Sequence, residues 1–150
     1  MDIAKLTEFV KSIVPEAAIQ EEREFPEITV SPACLPLIAK ALKENQDTLC
    51  DYLINLTGVD YGEDFGVIYH LGSSKFSHII VLKTKAQGRE NPMLESVCGI
   101  WKTAEFHERE VYDLLGVKFN NHPDLRRLFL EDSWGFPLRK DYVDENTVSK

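Results

Sequence analysis

Downstream of Gly116 the chain is both irregular and apolar, and that combination restricts its possible folds more than any other feature. Asn120-Asn121-His122-Pro123-Asp124 and Gly135-Phe136-Pro137 break any periodicity, yet Phe119, Leu125, Leu128, Phe129, Leu130 and Trp134 lie among them. Turn-forming residues at this density exclude a long helix or strand. Apolar side chains in such a segment must be covered, because an exposed patch of that kind promotes aggregation. The segment therefore wraps its own domain or lies along a partner. We read residues 1–116 as one domain and 117–150 as a C-terminal extension packing on that domain and on a partner.

Upstream, the periodicity is regular. Ile3, Leu6, Phe9, Val10, Ile13 and Val14 recur at helical spacing, which predicts an amphipathic helix over Asp2 to Val14, stopped by Pro15. Ile28 to Val30 is a short strand candidate. Ser31-Pro32 reads as an N-cap with proline at the first helical position, opening a helix to about Asn45 with Leu35, Ile38, Ala39 and Leu42 as its apolar stripe. Tyr52–Asp60, Phe65–Gly72 and His78–Lys85 are strand candidates joined by turn-like links, Tyr61-Gly62-Glu63-Asp64 and Gly72-Ser73-Ser74-Lys75. After a loop over Gln87 to Asn91, Pro92 to about Gly116 is expected to be helical, with a break near Gly99. This order predicts an α+β two-layer sandwich, helices on a mixed, mostly antiparallel sheet, followed by the irregular extension.

Composition narrows the function. The 150 residues are 43% hydrophobic and 28% charged, as in a soluble globular domain, and the formal net charge is −8. A nucleic-acid binder needs a basic surface to displace counterions, and attachment to anionic lipid needs a polybasic patch. Neither fits. Cys34, Cys50 and Cys98 are too few and too widely spaced for a disulfide framework or a zinc site, which suits a reducing compartment. No apolar run approaches the ~18 residues that cross a bilayer. Met1 leads directly into an amphipathic segment rather than a signal or transit peptide, so the expected location is the cytoplasmic face of a bacterial membrane, reached through partners.

The candidate catalytic motifs fail one by one. His107-Glu108 begins like a zinc-protease helix, but Val111 stands where the second histidine is required. Tyr112-Asp113-Leu114-Leu115-Gly116 followed by His122-Pro123-Asp124 resembles part of a J-domain co-chaperone, yet five residues between Gly116 and His122 leave no room for the helix those proteins place there. Asp60, Glu63 and Asp64 read as a solvated acidic hairpin. Cys98 sits among Val97, Gly99, Ile100 and Trp101 as a core thiol; a stand-alone thiol enzyme would need a histidine recruited from elsewhere in the fold. No nucleophile–base pair, metal set or phosphate cradle emerges.

The clearest anomaly is electrostatic. Trp101, Ala104, Glu108, Val111 and Leu115 share one helical face, so Glu108 interrupts an apolar stripe. Beside it, Glu105, Arg109 and Asp113 are spaced four apart, placing a carboxylate within reach of Arg109 on either side. A carboxylate on an apolar face must be paired, and guanidinium is its best partner. We therefore expect Arg126, Arg127, Arg139 and Lys140 to fold back onto this acidic cluster.

Taken whole, His107 to Tyr142 resembles the signature of the 30 kDa (C-type) subunit family of respiratory complex I, the NADH:quinone oxidoreductase. The matching pieces are Glu108-Arg109-Glu110, Tyr112-Asp113, Gly116, Phe119, His122-Pro123, Leu125-Arg126-Arg127-Leu128 and Pro137-Leu138-Arg139-Lys140-Asp141-Tyr142. Phe136, Phe129 and Val143 depart from the family's usual histidine, aliphatic residue and proline. The resemblance implies a structural subunit of the peripheral arm, packed against the 49 kDa (D-type) subunit. It implies no cofactor on this chain, with flavin (FMN), iron–sulfur clusters and quinone held by partner subunits. Glu108, Arg109, Glu110, Tyr112, Asp113, Gly116, His122, Pro123, Asp124, Arg126, Arg127, Pro137, Arg139, Lys140 and Asp141 are then the expected interface or structural motif. Energy-converting membrane hydrogenases and related dehydrogenases contain a homologous small subunit, which is the alternative assembly.

Overall fold

The computed structural model describes residues 3–21, 24–127 and 135–140. Helix α1 (Ile3–Ile13) buries Leu6 and Val10. Strands β1 (Ala18–Gln20) and β2 (Glu27–Thr29) follow, then a 3-10 turn over Pro32–Cys34 and helix α2 (Leu35–Glu44). Long strands β3 (Tyr52–Asp60), β4 (Phe65–Gly72) and β5 (Ile79–Ala86) come next, then β6 (Met93–Glu95), α3 (Ala104–Leu115) and β7 (Lys118–Asn120). The main sheet has the order β1-β2-β5-β4-β3, and β6 and β7 form a second, two-stranded sheet. Only the β2–β5 pairing in the main sheet is parallel. The α+β sandwich with a mixed, mostly antiparallel sheet is as expected.

Register explains which face is covered. Leu56, Tyr69 and Leu82 are successive cross-strand partners and point to one side, with Ile28 opposite Leu82 continuing the row. All four are buried and join Leu6, Val10, Ile38 and Leu42 in one core. Their neighbours Ile68, His70 and Lys83 are only half-buried, on the other face. Helix α3 crosses the inner face at Gly58, where a Cβ would lie 2.6 Å from a Leu115 methyl and 2.9 Å from Val111. A glycine there lets helix and strand approach closely.

The expected helix from Pro92 begins only at Ala104. Residues 93–95 pair in parallel with 118–120, and the Pro92 carbonyl accepts from the Lys118 N–H. Leu94 and Val97 are thereby buried as strand and turn residues, so tertiary pairing overrides the helical pattern. Trp101 accordingly precedes the helix, and its indole N–H donates to the Cys50 carbonyl at 2.9 Å. Ser31 occupies the expected cap position, but its hydroxyl makes no capping bond. Strands β1, β6 and β7 are not among the expected elements.

Candidate functional site

Helix α3 and the irregular segments after it hold nearly all the motif residues. An α-helix ends with four carbonyls lacking intrahelical partners, and α3 has no basic residue in its last turn. The chain downstream supplies every missing donor. The Tyr112 carbonyl accepts from Gly116 N–H at 2.8 Å, and the Leu114 carbonyl from Leu138 N–H at 3.0 Å. Guanidinium groups serve the other two: Arg127 Nη2 donates to the Asp113 carbonyl at 2.7 Å and Arg139 Nε to the Leu115 carbonyl at 2.6 Å. These cations also offset the negative end of the helix dipole. Gly116, at φ 80°, makes the left-handed turn that ends the helix. A Cβ on it would meet Arg139 Nη2 at 2.6 Å and the Phe136 ring at 2.8 Å.

Three carboxylates anchor the surrounding network. Asp113 is fully buried and receives Arg127 Nε at 2.6 Å, the two side chains being 0% and 8% exposed. Arg127 also donates to the Gly135 carbonyl and lies 5.2 Å from the Phe136 ring centroid, so it ties both tail segments to the helix. Asp60, the last residue of β3, accepts from Arg89 at 2.5 and 3.0 Å, and from the N–H groups of Gly62 and Lys140 at 2.8 Å each. The Arg89 hydrogen bond, supported by those amides, holds its carboxyl well below the usual range. Arg89 and Arg139 both sit 4.8 Å from the buried Phe65 ring.

Glu108 departs from the expected arginine pairing. Its Oε1 accepts from the Ser96 hydroxyl at 2.5 Å and the Cys98 thiol at 3.0 Å, and Oε2 from the Val97 N–H at 2.9 Å. The loop after β6 thus cups the carboxyl with neutral donors, leaving the guanidinium groups for Asp113 and the helix end. Burial raises the Glu108 pKa, and the hydrogen bonds from Ser96, Val97 and Cys98 only partly counter it. Arg109 likewise does not take a carboxylate along its helix. It donates to the carbonyls of Arg126 and Arg127 at 3.2 and 3.1 Å, satisfying backbone where the extension crosses α3.

His122 completes this node, with its Nε2 3.9 Å from Glu108 Oε1 and both side chains fully buried. Ligand atoms of Cys98, Glu108 and His122 all lie within 4.8 Å of one another. The imidazole is nonetheless committed elsewhere. Asp124 N–H donates to Nδ1 at 2.9 Å, so the proton resides on Nε2, which donates to the Glu105 carbonyl at 3.0 Å. Binding a metal through Nε2 would move that proton to Nδ1, facing the Asp124 N–H. The same commitments leave no basic nitrogen for the thiol, and burial pushes Cys98 up to about 12. The arrangement is a hydrogen-bonded structural node rather than a nucleophile.

The motif residues therefore divide. Glu108, Arg109, Asp113, Gly116, His122, Arg127 and Arg139 turn inward, while Glu110, Pro123, Asp124, Arg126 and Lys140 are exposed. Tyr112 and Pro137 are half-buried, with the Tyr112 ring 6.1 Å from Phe136. Arg126 pairs with Asp124 at 2.9 Å on the surface. Asp141 lies outside the described residues, as do Leu128, Phe129, Leu130, Trp134 and Tyr142. Ser96 and Arg89 belong to the network although the motif reading omits them, and Asp60 is not part of a solvated acidic hairpin as expected: it is buried at the end of β3, where Arg89 and the Lys140 N–H cover its carboxylate.

Known proteins share both sequence and fold. A C-type subunit of NADH-quinone oxidoreductase from Roseiflexus sp. is 35% identical over 147 residues, covering 94% of this chain and 84% of the relative. The C-type subunit of the same enzyme from Chloroherpeton thalassium is 43% identical over 108 residues, 70% of this chain and 45% of the relative. The C/D-type subunit of Phocaeicola vulgatus is 54% identical over 103 residues, 67% of this chain but only 20% of that longer protein. Among solved structures, a component of the archaeal membrane-bound sulfane sulfur reductase, a respiratory membrane complex, superposes with a TM-score of 0.80 at 22% identity, over 93% of this chain and 85% of that one. Residues 28–148 match the family described as respiratory-chain NADH dehydrogenase, 30 Kd subunit, and the chain belongs to that family.

Proposed function

We infer that this chain is a cofactor-free structural subunit in the peripheral arm of a proton-translocating NADH:quinone oxidoreductase. It packs against the D-type subunit and holds the neighbouring redox subunits in register, while FMN, iron–sulfur clusters and quinone belong to those partners. The observation that carries the reading is the family match over residues 28–148, together with relatives in which the C and D types are one polypeptide. The site geometry supports it. Motif side chains that point inward tie the extension to α3, and those that point outward, Glu110, Pro123, Asp124, Arg126 and Lys140, remain available to a partner. Among the described residues no helix is long and apolar enough to cross a membrane; in this reading partners carry the chain to the cytoplasmic face.

Purification of the tagged chain from gently solubilised membranes tests this directly. Recovery of D-type and cluster-carrying subunits with NADH:quinone reductase activity is the expected result. A second reading follows from the fold's presence in an archaeal sulfur reductase complex. Copurification of a nickel–iron-type large subunit, or of an assembly using another donor, would move the chain to that class. Recovery of the chain alone from the soluble fraction would defeat both.

A further inference from the structure

The two edges of the main sheet are finished differently. On one side β1 is three residues long and continues into the exposed Glu21. On the other, β3 runs for nine residues and pairs only with β4 among the described residues. A long edge strand presents a row of unpaired N–H and C=O groups, and proteins normally guard it with lysine, proline or charge. Residues 52–59, Tyr-Leu-Ile-Asn-Leu-Thr-Gly-Val, contain none of these in a chain whose net charge is −8. A register shift between Leu53 and Asn55 interrupts one end, but 55–60 run in regular register with 65–70.

The flanks of this edge are equally open. Tyr52 and Ile54 are 46% and 40% exposed. Beside the strand, a groove of about 280 Å³ runs between β3 and α3, lined by Thr57, Gly58, His107, Glu110, Val111 and Leu138. Leu138 itself is 60% exposed. An open edge beside a groove of mixed polar and apolar lining suits a partner that pairs through its main chain and places alternate side chains in the groove.

We propose that β3 is a docking edge to which the D-type subunit adds a strand, its alternate side chains entering the groove between β3 and α3. This rests on the C-type reading given above, and on relatives that carry the C and D types in one polypeptide. Such a tether keeps a D-type segment at high local concentration beside this fold. It specifies which element of the chain makes the contact and in what form.

Amide hydrogen exchange, read by mass spectrometry on the full chain alone and in complex with the D-type subunit of the same genome, tests the proposal. In the free chain, alternate β3 amides are expected to exchange much faster than those of β4; in the complex they slow by about a hundredfold or more. Ile54→Lys, which restores a guard charge at an exposed site, is expected to weaken complex formation about tenfold while leaving the melting temperature of the free chain unchanged. A complex that forms with β3 exchange unaltered overturns the docking edge but leaves the C-type reading standing. Failure to form any complex overturns both. Slow β3 exchange in the free chain overturns the proposal too, assigning the edge to a second copy if the chain is dimeric and to its own C-terminal residues if monomeric.

Discussion

Arg126 and Arg127 are adjacent in sequence and identical in charge, yet the fold uses them differently. Arg127→Ala removes the guanidinium from a fully buried Asp113 and takes donors from the Asp113 and Gly135 carbonyls. Breaking a buried pair by deleting one partner costs roughly 3–5 kcal/mol, because a charge is left uncompensated. Asp113 keeps another interaction, so the lower end, about 3 kcal/mol, is the expected loss. Arg126→Ala deletes a side chain 69% exposed and paired to an Asp124 that is 49% exposed. Exposed pairs contribute less than about 1 kcal/mol. Urea unfolding with linear extrapolation measures both. At this chain length the two variants should also differ in melting temperature, by roughly 5–10 °C. Equal losses for the two, or less than about 1 kcal/mol for Arg127→Ala, would refute the claim that a buried guanidinium fastens the extension to α3.

Gly116→Ala should lose about 1–3 kcal/mol in the same assay, since it combines a positive φ with the close approach of Phe136 and Arg139. Cys98, with its thiol pushed up to about 12, should react with iodoacetamide at neutral pH far more slowly than a free thiol, and denaturant should restore the ordinary rate. The raised Glu108 pKa means that the folded state binds its proton more readily than the unfolded chain. Its contribution to stability therefore grows as pH falls through the raised folded value and diminishes as pH rises above it. Glu108→Gln should flatten that slope in stability-versus-pH titrations, whereas Glu108→Ala, which strands the Val97 N–H and Ser96 hydroxyl, should cost roughly 1–3 kcal/mol at neutral pH. The Asp60 carboxyl behaves oppositely. Its lowered pKa contributes stability above the unfolded value that is lost as pH falls toward the folded one, and Asp60→Asn should remove that acid sensitivity.

Most elements readable from sequence are long enough to show a period; three-residue β2, marked by Ile28 to Val30, is the exception. Helices α1 and α2 and strands β3, β4 and β5 each span eight residues or more, and apolar spacing locates them within one position except at the start of α2, where a 3-10 turn over Pro32–Cys34 puts off the helix to Leu35. Strands β1, β6 and β7 are three residues each, too short for any periodicity, and two of them exist only because distant segments pair. Met93–Glu95 falls inside the helix expected from Pro92, but its pairing with Lys118–Asn120 makes it a strand. Helical spacing likewise placed Glu108 on the buried face of α3 but could not show what covers that face. Ser96, Val97 and Cys98 reach it from a turn whose position depends on the β6–β7 pairing. The fold-back of Arg127 onto Asp113, one carboxylate of the expected acidic cluster, is legible in the spacing; the neutral donors on Glu108 and the guanidinium groups on the helix-end carbonyls are not.

That helix end is finished by residues made after it. The carbonyls of Asp113, Leu114 and Leu115 receive their donors from Arg127, Leu138 and Arg139, as much as 24 positions downstream. During synthesis the last turn of α3 cannot settle when its own residues emerge from the ribosome; it waits for the extension to arrive. A chain interrupted or clipped between Asn120 and Arg127 would keep every strand of both sheets and still present a frayed helix terminus. The closing steps of folding and the completion of the polypeptide are thereby coupled, so an incomplete subunit differs in shape from a finished one before any partner meets it.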